Sequence, residues 1–590
     1  MRLQNSQLGD AYQDDKKASV RGNLGAEDWE EPKGKYLSYV KSLSSRWPQL
    51  ELVADFMEVG TIPTSWCIFP GEEKDKDAPS RYAYPENIDD RRREQRDRAK
   101  RMNVALLKFK ESGYPDLKRF RSEESHNSSD LEAAISEAKK NKPEVNFSLF
   151  VVEDLSRDVI ETLGAGLAID PRFFRAHITD YVWNNIRDRW REPSLLQVDV
   201  HRQKWFQMRL VRSRYFSDQS ELNEAKAQVS DFNVMRRIDA DRNQIFWDKD
   251  PKMTLLDTLK GEGQKGDKPV DAKVGHLRSR ATFWFNPSCT IGVLLLEPTP
   301  KAGYSLWRGY PNWDEMPEFD EKVDYTRPSR DRQIPPSLRS KSSAEPISWF
   351  EDYIFWAQRT GNFEKPPEGS EHPQLAIPVQ CLLHLVCGEW LTFADYLNAR
   401  LNQVDWGISN PSFFPNSNGT DNREQSLRKL HFWRRWVPQA RDMLQASISQ
   451  VIECDHMNAV RIISKAYAED LKIIKNRLED YERRIDRLGT VVNSAIGLSD
   501  ARNSRNLTIL ASLFIPPSLV ATIMSMTTSP LIQLSPAIKY WAIASAAAVA
   551  TLFALAWFLK SKHAKKFRHA LSLTNIMSKL NRGKGNVSSV

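Results

Sequence analysis

Cysteines are few and scattered in this chain of 590 residues, and several common functional motifs are missing. The five cysteines are odd in number and far apart, which argues against a disulfide framework and favours a reducing compartment. The first 17 residues contain no apolar core, so we expect no secretory signal peptide. Neither a phosphate-binding glycine loop nor a nucleophile elbow is visible in the sequence, and we therefore expect neither an enzyme nor a cofactor.

One short pattern, Cys381-x-x-His384-x-x-Cys387, has the spacing of possible metal ligands. A structural zinc site needs further ligands, and no second cluster is visible in the sequence. Because the surrounding run, LLHLVC, is apolar, we favour packing inside a buried helix and keep metal binding as the alternative.

Acidic residues are absent from residues 560–590, which hold eight of the 85 basic side chains. The rest of the chain carries 77 basic and 77 acidic side chains, so the net charge of +8 belongs to this tail. A basic tail is typical of contact with a membrane surface or with nucleic acid. The other basic run, residues 86–101, is interrupted by acids and lacks aromatic residues for base stacking, so no nucleic-acid partner is expected. The tail begins with Lys560, Lys562, Lys565, Lys566 and Arg568.

Composition divides the N-terminal three quarters of the chain into four segments. Residues 1–145 are polar and are expected to form a partly disordered extension. Strands mixed with helices over residues 146–297 predict a cytosolic α/β or α+β domain. Residues 298–346 are proline-rich and predict a linker or insert, and residues 347–454 predict the helical part of the same domain.

Local signals place individual elements within this domain. The run FSLFVVEDL, residues 147–155, is short, apolar and rich in β-forming residues, and it predicts a strand. Asp154 or Ser156 can cap the next helix, Gly164 can end it, and Pro171 is expected at the start of the following one. Further strands are predicted at 204–216, 274–286 and 290–296, and further helices at 376–405 and 421–447.

Residues 455–506 contain the longest hydrophobic repeat and predict a long stalk helix. Apolar residues recur at spacings of three and four over about five heptads. They are Val460, Ile463, Tyr467, Leu471, Ile474, Leu478, Tyr481, Ile485, Leu488, Val492 and Ala495. Such a seam requires partner helices, which come either from the same chain, as an intramolecular bundle, or from other subunits.

Charged residues are absent from residues 506–538, and again from residues 540–559. Two helices of about 20 residues each, enough to cross a bilayer core, are therefore predicted at 507–526 and 538–559. Residues 527–537 would form the outer turn between them. A buried hairpin of a soluble protein is the alternative.

The flanks of this hairpin predict its orientation. Arg502 and Arg505 precede the first span, and the basic tail follows the second. Positive residues concentrate on the cytosolic side of membrane helices, so both termini are expected in the cytosol. Tyr540, Trp541 and Trp557 lie near span ends, where aromatic belts form.

The first span carries a stripe of small polar residues. Thr508, Ser512, Ser518, Thr522 and Ser525 recur at helical spacing and occupy less than half of the helix circumference at about 100° per residue. Such a stripe can line a pore or pack against another helix, and both interpretations stay open. The adjacent Pro516-Pro517 pair is expected to break the backbone hydrogen bonds locally, so that a freed carbonyl bonds to water or to a neighbouring helix.

The segment NLTILASLFIPPSLVATIMSMT resembles the first membrane helix of the CorA-type divalent-cation transporters, including Leu507-Thr508, Phe514 and Pro516. Upstream, FVVEDLSRDVIETLGAGLAIDPRFF resembles the opening of that family's soluble domain. The phrases YFSDQSELN, LRSRATFWF and YLNARLNQVDW are similar to divergent CorA-like proteins of filamentous fungi. The resemblance covers residues 145–570.

The resemblance implies a CorA-like funnel, in which five copies of the chain surround one central pore. It implies a multi-pass protein of the plasma membrane or an organelle membrane that passes a hydrated divalent cation, Mg²⁺ above all, down its gradient. It places Ser504, Leu507, Thr508, Ile515, Ser518 and Thr522 along the pore, with Leu507 and Ile515 as a hydrophobic gate. The cation is then the transported substrate, and the partners are the lipid bilayer and further copies of the chain.

The outer-mouth signature of that family is Gly-Met-Asn, and the matching residues here are Ser525-Met526-Thr527. The threonine hydroxyl can still accept a hydrogen bond from a hydrating water, but it lacks the amide group. This difference leaves two further functions open. One is a non-conducting CorA-like membrane protein whose cytosolic domain binds or regulates, and the other is transport of zinc or another transition metal.

Overall fold

A computed structural model describes the chain in segments. They are residues 32–60, 87–110, 114–124, 128–140, 145–178, 196–234, 236, 238–241, 273–286, 288, 290–306, 348–359, 363, 373–409, 419–451, 458–526 and 534–560. Contacts between residues divide the chain into two compact units. The first comprises Met1–Trp406 and Lys429–Asp486, and the second comprises Gly407–Arg428 and Arg487–Val590.

The first unit contains a sheet of eight strands. They are β1 (Asn103–Lys110), β2 (Asp116–Arg121), β3 (Val145–Glu153), β4 (Trp205–Phe216), β5 (Ile238–Asp241), β6 (Lys273–Phe285), β7 (Ile291–Leu296) and β8 (Tyr304–Ser305). Their order is β2-β1-β3-β7-β6-β4-β8, and β5 pairs with β6. The central pair β3–β7 is parallel and the other pairs are antiparallel. The predicted mixed α/β fold is confirmed, and so are the strands predicted around residues 147, 204, 274 and 290.

Thirteen α-helices accompany the sheet within the described residues. They are α1 (Lys35–Ser44), α2 (Glu51–Val59), α3 (Ile88–Lys100), α4 (Ser128–Lys139), α5 (Arg157–Leu167), α6 (Pro171–Ile178), α7 (Gln197–His201), α8 (Gln219–Asp231), α9 (Trp349–Ala357), α10 (Ala376–Ser409), α11 (Gly419–Val451), α12 (Asn458–Met526) and α13 (Leu534–Lys560). Helix α6 begins at Pro171, as predicted. The helices predicted at 376–405 and 421–447 correspond to α10 and α11.

The segment before residue 145 differs from its prediction as a polar extension. Strand β1 lies between β2 and β3, so β1 and β2 belong to the same sheet as the predicted domain. Helices α1 and α2 bury Leu37, Val40 and Phe56 in the core beneath this sheet. The prediction was wrong because the polar average of the segment hides short apolar stretches, which pack against residues far along the chain. Residues 1–31 and 61–86 lie outside the described residues.

The proline-rich segment also begins inside the sheet rather than in a linker. Tyr304 and Ser305 form β8 and pair with β4 at Tyr215 and Arg214. The remainder of the predicted insert, from residue 307 onwards, lies outside the described residues.

The predicted side-chain cap at the start of α5 is not formed by either Asp154 or Ser156. Ser156 is the N-cap residue of α5, but its side chain makes no capping hydrogen bond. Asp154 adopts a left-handed backbone with φ of 53° and accepts hydrogen bonds from the backbone N–H groups of Asn233 and Val234 at 3.1 and 3.0 Å. The carboxylate therefore ties the β3 turn to a distant loop, and α5 continues past Gly164 to Leu167.

A buried ion pair joins the end of β7 to the loop before β5. Arg236 Nε donates to Glu297 Oε1 at 2.7 Å, and the two side chains are 5% and 1% exposed. Arg236 also donates to the backbone carbonyls of His177 and Ile178 at the end of α6. One guanidinium thus joins three elements in a region that water does not reach.

The hydrophobic seam of α12 is buried within the chain itself. Leu471, Ile474 and Leu478 are fully buried, and Ile485 is nearly so. On the α11 side, Arg441 donates to Glu482 at 2.7 Å. The intramolecular bundle, one of the two alternatives for the seam, is therefore what the described residues up to Asp486 show. The side chain of Val460 lies outside the described residues.

Candidate functional site

The last third of α12 exposes large apolar side chains instead of burying them. Leu507, Phe514 and Ile515 are between 62% and 66% exposed, whereas Val492 on the same helix is fully buried. Ile543 on α13 is exposed in the same way. A contiguous exposed apolar surface is typical of a site that contacts a membrane or another protein.

The residues that the family resemblance places along the pore lie on one face of α12 together with Ser525, and the side chain of Ser512 is not described. At about 100° per residue, the set falls within an arc of about 100° around the helix axis. It consists of Ser504, Leu507, Thr508, Ile515, Ser518, Thr522 and Ser525, and each side chain is exposed in the single chain. The structure therefore brings these residues together along one continuous face. We call this set the α12 stripe.

Three hydroxyl groups of the stripe donate hydrogen bonds to their own helix. Thr508 Oγ1 donates to the carbonyl of Ser504 at 2.8 Å, and Thr522 Oγ1 donates to that of Ser518 at 2.8 Å. Ser525 Oγ donates to the carbonyl of Thr522 at 2.7 Å. Because these three hydroxyl protons point back to the backbone, their oxygen lone pairs can accept hydrogen bonds from outside the helix. The stripe thus presents hydrogen-bond acceptors at Thr508, Thr522 and Ser525.

A different face of α12 contacts α13. Trp541 Nε1 of α13 donates to the carbonyl oxygen of Pro517 at 3.1 Å. An open apolar groove follows this contact along both helices. It is lined by Phe514, Pro517, Ser518, Ala521, Trp541, Ser545, Ala546, Val549 and Ala550. Ser518 is the one stripe residue in this lining, so contact with α13 does not account for the stripe as a whole.

The proline pair does not end the helix. Helix α12 continues through Pro516 and Pro517 to Met526. The carbonyl of Pro517 accepts a hydrogen bond from the neighbouring helix, but the carbonyls that the missing N–H groups of Pro516 and Pro517 leave free are those of residues 512 and 513. The predicted bond of a freed carbonyl therefore stays a prediction. Trp541 was predicted only as a belt residue, and its role as a donor to α12 was missed. A tryptophan on the next helix after a proline pair is the sequence signal that could have indicated this hydrogen bond.

Replacing Trp541 with phenylalanine is expected to weaken the α12–α13 contact by about 1 kcal/mol, because an aromatic ring is kept but the indole N–H and its hydrogen bond are lost. The free energy of unfolding of the full chain in detergent measures this change. Tyr540→Phe is the matched control, since Tyr540 is exposed and precedes Trp541 on the same helix. An equal effect of both substitutions would contradict the assigned role of Trp541.

Other predicted site residues lie outside the described part of the chain. Met526 is the last residue of α12, but its side chain is not described, and Thr527 lies beyond it. Lys560 ends α13, whereas Lys562, Lys565, Lys566 and Arg568 are outside the described residues. The outer-mouth signature and the basic tail therefore stay predictions.

Within the described part of the chain, one helix is long and apolar enough to cross a membrane, the stretch Pro373–Ser409. A shorter apolar stretch, Phe514–Ile523, lies inside the first predicted span. Pro373–Ser409 contains α10, and 78% of its most apolar window is buried inside the protein. Since α10 packs against β4 and α12, we interpret it as a core helix of the first unit. The two spans predicted at 507–526 and 538–559 stay a prediction.

The three residues of the possible metal pattern are side chains of α10 that pack against neighbouring elements. They are Cys381, His384 and Cys387. Cys381 Sγ donates to the carbonyl of Tyr353 at 3.7 Å, and the His384 ring packs edge-on against Tyr467. Burial raises the pKa of both thiols, which keeps them protonated and unsuited to bind a metal ion. Among the residues that the structure describes, no group of three or more His, Cys, Asp or Glu side chains could hold a metal ion.

Comparison with known families gives a match in the C-terminal part of the chain. Residues 392–563 match the model of a family described as CorA-like Mg²⁺ transporter protein. The match begins within α10 and includes all of α12 and α13, and hence the whole stripe. No curated protein matches the chain.

Proposed function

We propose, from the premise that the C-terminal part of this chain belongs to the CorA-like Mg²⁺ transporter family, that the protein passes a hydrated divalent cation across a membrane. Several copies of the chain would surround a pore lined by the α12 stripe. Flow would follow the electrochemical gradient, and the cation would be substrate rather than cofactor.

The α12 stripe is the observation that carries this proposal. Apolar side chains such as Leu519 and Ile523 are exposed beside the stripe, where lipid or neighbouring helices would cover them. A helix surrounded by lipid on all sides has no use for a row of hydroxyl acceptors, whereas a pore-lining helix does. The groove with α13 accounts for Ser518 alone.

The chemistry of the stripe suits a cation that keeps its water. Mg²⁺ releases its hydration shell reluctantly, and its bound waters direct their protons outward. Hydroxyl oxygens such as those of Thr508 and Thr522 can accept hydrogen bonds from these waters. Leu507 and Ile515, in the same stripe, would form hydrophobic constrictions that stop flow when they dewet.

An assembly of several chains follows from the same geometry. Two helices cannot enclose a conduit, and the stripe is exposed in the single chain. We propose a homopentamer, as the family resemblance implies, with α12 inside and α13 outside. Spans at 507–526 and 538–559 would leave both termini in the cytosol, because Arg502, Arg505 and the tail are positive.

Vesicle flux tests the proposal directly. Purified full-length protein is reconstituted into liposomes that contain a Mg²⁺-sensitive dye, and external Mg²⁺ is then added. We expect a rise in internal Mg²⁺ that depends on protein and on the imposed voltage. The result that would contradict transport is flux at the level of empty liposomes, for Mg²⁺ and Zn²⁺ alike, from an intact assembly whose mass is about five times the 68.0 kDa of one chain. It would favour the non-conducting alternative that Ser525 and Thr527 leave open.

A further inference from the structure

Glu389 is a buried carboxyl group on the face of α10 that contacts β4. Its side chain is 3% exposed, and the adjacent Trp390 donates from Nε1 to the backbone carbonyl of Arg209 on β4 at 3.1 Å. The backbone N–H of Ser213, also on β4, donates to the Glu389 carboxyl group. Glu389 therefore lies within the contact that fixes α10 to the sheet.

The charged groups around Glu389 come from two elements. Arg212 and Arg214 approach it from β4, and Asp352 approaches it from α9. All three side chains are buried. The shortest distance, between Arg212 Nε and Glu389 Oε1, is 3.8 Å. Within the described residues, Glu389 Oε2 and Arg212 Nε and Nη1 have no hydrogen-bond partner.

This geometry fits a neutral carboxyl group better than a carboxylate. A charge-assisted hydrogen bond between guanidinium and carboxylate is about 2.7–2.9 Å long, which is shorter than the distance between Arg212 and Glu389. Burial raises the pKa of Glu389 from 4.5 to about 7, because Arg212 and Arg214 do not offset the loss of water and Asp352 opposes ionisation. Ionisation would draw Arg212 and Glu389 together and so change the position of α10 against β4.

Helix α10 also contacts α12. Arg477 of α12 donates to Asp395 of α10 at 3.2 Å. Arg484 donates to Asn398 at 3.3 Å and to Asp405 at 3.2 Å. The same α10 helix thus touches β4 through Glu389 and α12 through three polar residues further along. A movement of α10 against β4 would be transmitted to α12, the helix that carries the stripe.

We propose that Glu389 is a proton-operated switch whose charge sets the position of α10 against β4 and, through α10, the state of α12. Proton uptake from the cytosol gives the neutral arrangement seen here, and proton release gives a second arrangement in which Arg212 pairs with the carboxylate. The effect on transport rests on the proposed function, whereas the proton site itself does not.

The proton site is tested without any transport measurement. A carboxyl group whose pKa is raised on folding binds its proton more tightly in the folded state, so stability falls as the pH rises between the two pKa values. For wild-type protein in detergent, the unfolding equilibrium constant is expected to rise on the order of 100-fold between pH 4.5 and 7 from this group. Glu389→Gln should lose this component, and Glu469→Gln, at an exposed position of α12, should keep it.

An identical pH dependence in wild type and Glu389→Gln would overturn the proton site. Infrared spectroscopy provides a second measurement if the variant unfolds. A protonated-carboxyl band that disappears with a midpoint near pH 7 in the wild type supports the site, and a band absent at pH 6 overturns it.

Vesicle flux then tests the coupling. Wild-type Mg²⁺ flux should differ between pH 6 and pH 8, and Glu389→Gln should show at both values the flux that the wild type has at pH 6. If Glu389 titrates but Mg²⁺ flux is equal at pH 6 and pH 8, the charge of Glu389 does not change the state of α12, and the coupling is overturned. If no variant conducts at any pH, the proposed function fails while the stability measurement still decides the proton site.

Discussion

Replacing Thr522 with tryptophan is expected to reduce Mg²⁺ flux in vesicles to the leak level. Thr522 lies near the C-terminal end of the α12 stripe with its hydroxyl bonded to the carbonyl of Ser518, and its side chain is exposed. In an assembly of several chains, each copy contributes the same bulky indole at one level of the pore. The indole both narrows the conduit and replaces hydroxyl acceptors with apolar surface, so a hydrated cation loses space and hydrogen bonds together.

Ile523→Trp is the matched control for this substitution. Ile523 is the next residue, is 57% exposed and lies about 100° away around the helix, outside the stripe. A tryptophan there adds the same bulk to the same turn and should leave most of the flux intact. Equal loss in both variants would indicate general damage to α12. Wild-type flux in Thr522→Trp would show that the stripe does not line the path.

Arg236→Met is expected to produce the largest loss of stability in the first unit, about 3–5 kcal/mol. The substitution removes one charge of a pair whose side chains are almost fully buried and leaves Glu297 without its cation. It also leaves the carbonyls of His177 and Ile178 without this donor. Urea unfolding of the full chain in detergent, followed by pulse proteolysis, measures the change.

An exposed ion pair provides the control for Arg236. Arg434 and Asp486 lie 3.1 Å apart, but their side chains are 67% and 61% exposed, so Arg434→Met should cost less than about 1 kcal/mol. The double variant Arg236→Met with Glu297→Leu should recover much of the loss, because it leaves no buried charge unpaired. A loss below 1 kcal/mol for Arg236→Met alone would show that water reaches Glu297.

The sequence predicts elements whose signals are local. The strand at β3, the start of α6 at Pro171 and the long helices α10 to α12 follow from composition and periodicity over short windows. Strands β1 and β2 were missed because their place in the sheet depends on pairing with β3 rather than on their own pattern. Asp154 was predicted as a cap, yet its partners, Asn233 and Val234, lie 79 and 80 residues away.

For the candidate site too, local spacing could be predicted from the sequence and contacts between elements could not. The spacing of Thr508, Ser518 and Thr522 gives the stripe, because residues that share a helical face can be identified by counting. Counting does not identify contacts between helices, so the bond from Trp541 to Pro517 came only from the structure. The contact of Glu389 with β4 could not be predicted for the same reason, because one acidic residue in an apolar helix gives no indication of which strand it faces.

The parallel pairing of β3 with β7 has a consequence for synthesis. Strand β7 begins at Ile291, well over a hundred residues after β3 ends at Glu153, so the centre of the sheet cannot close until most of the first unit has left the ribosome. Contacts of such long sequence separation fold slowly, and until then the apolar edge of β3 is exposed to aggregation. Newly made chains should therefore depend on chaperones over this interval. The apolar residues of α12 and α13 emerge only later, when the sheet can already be complete.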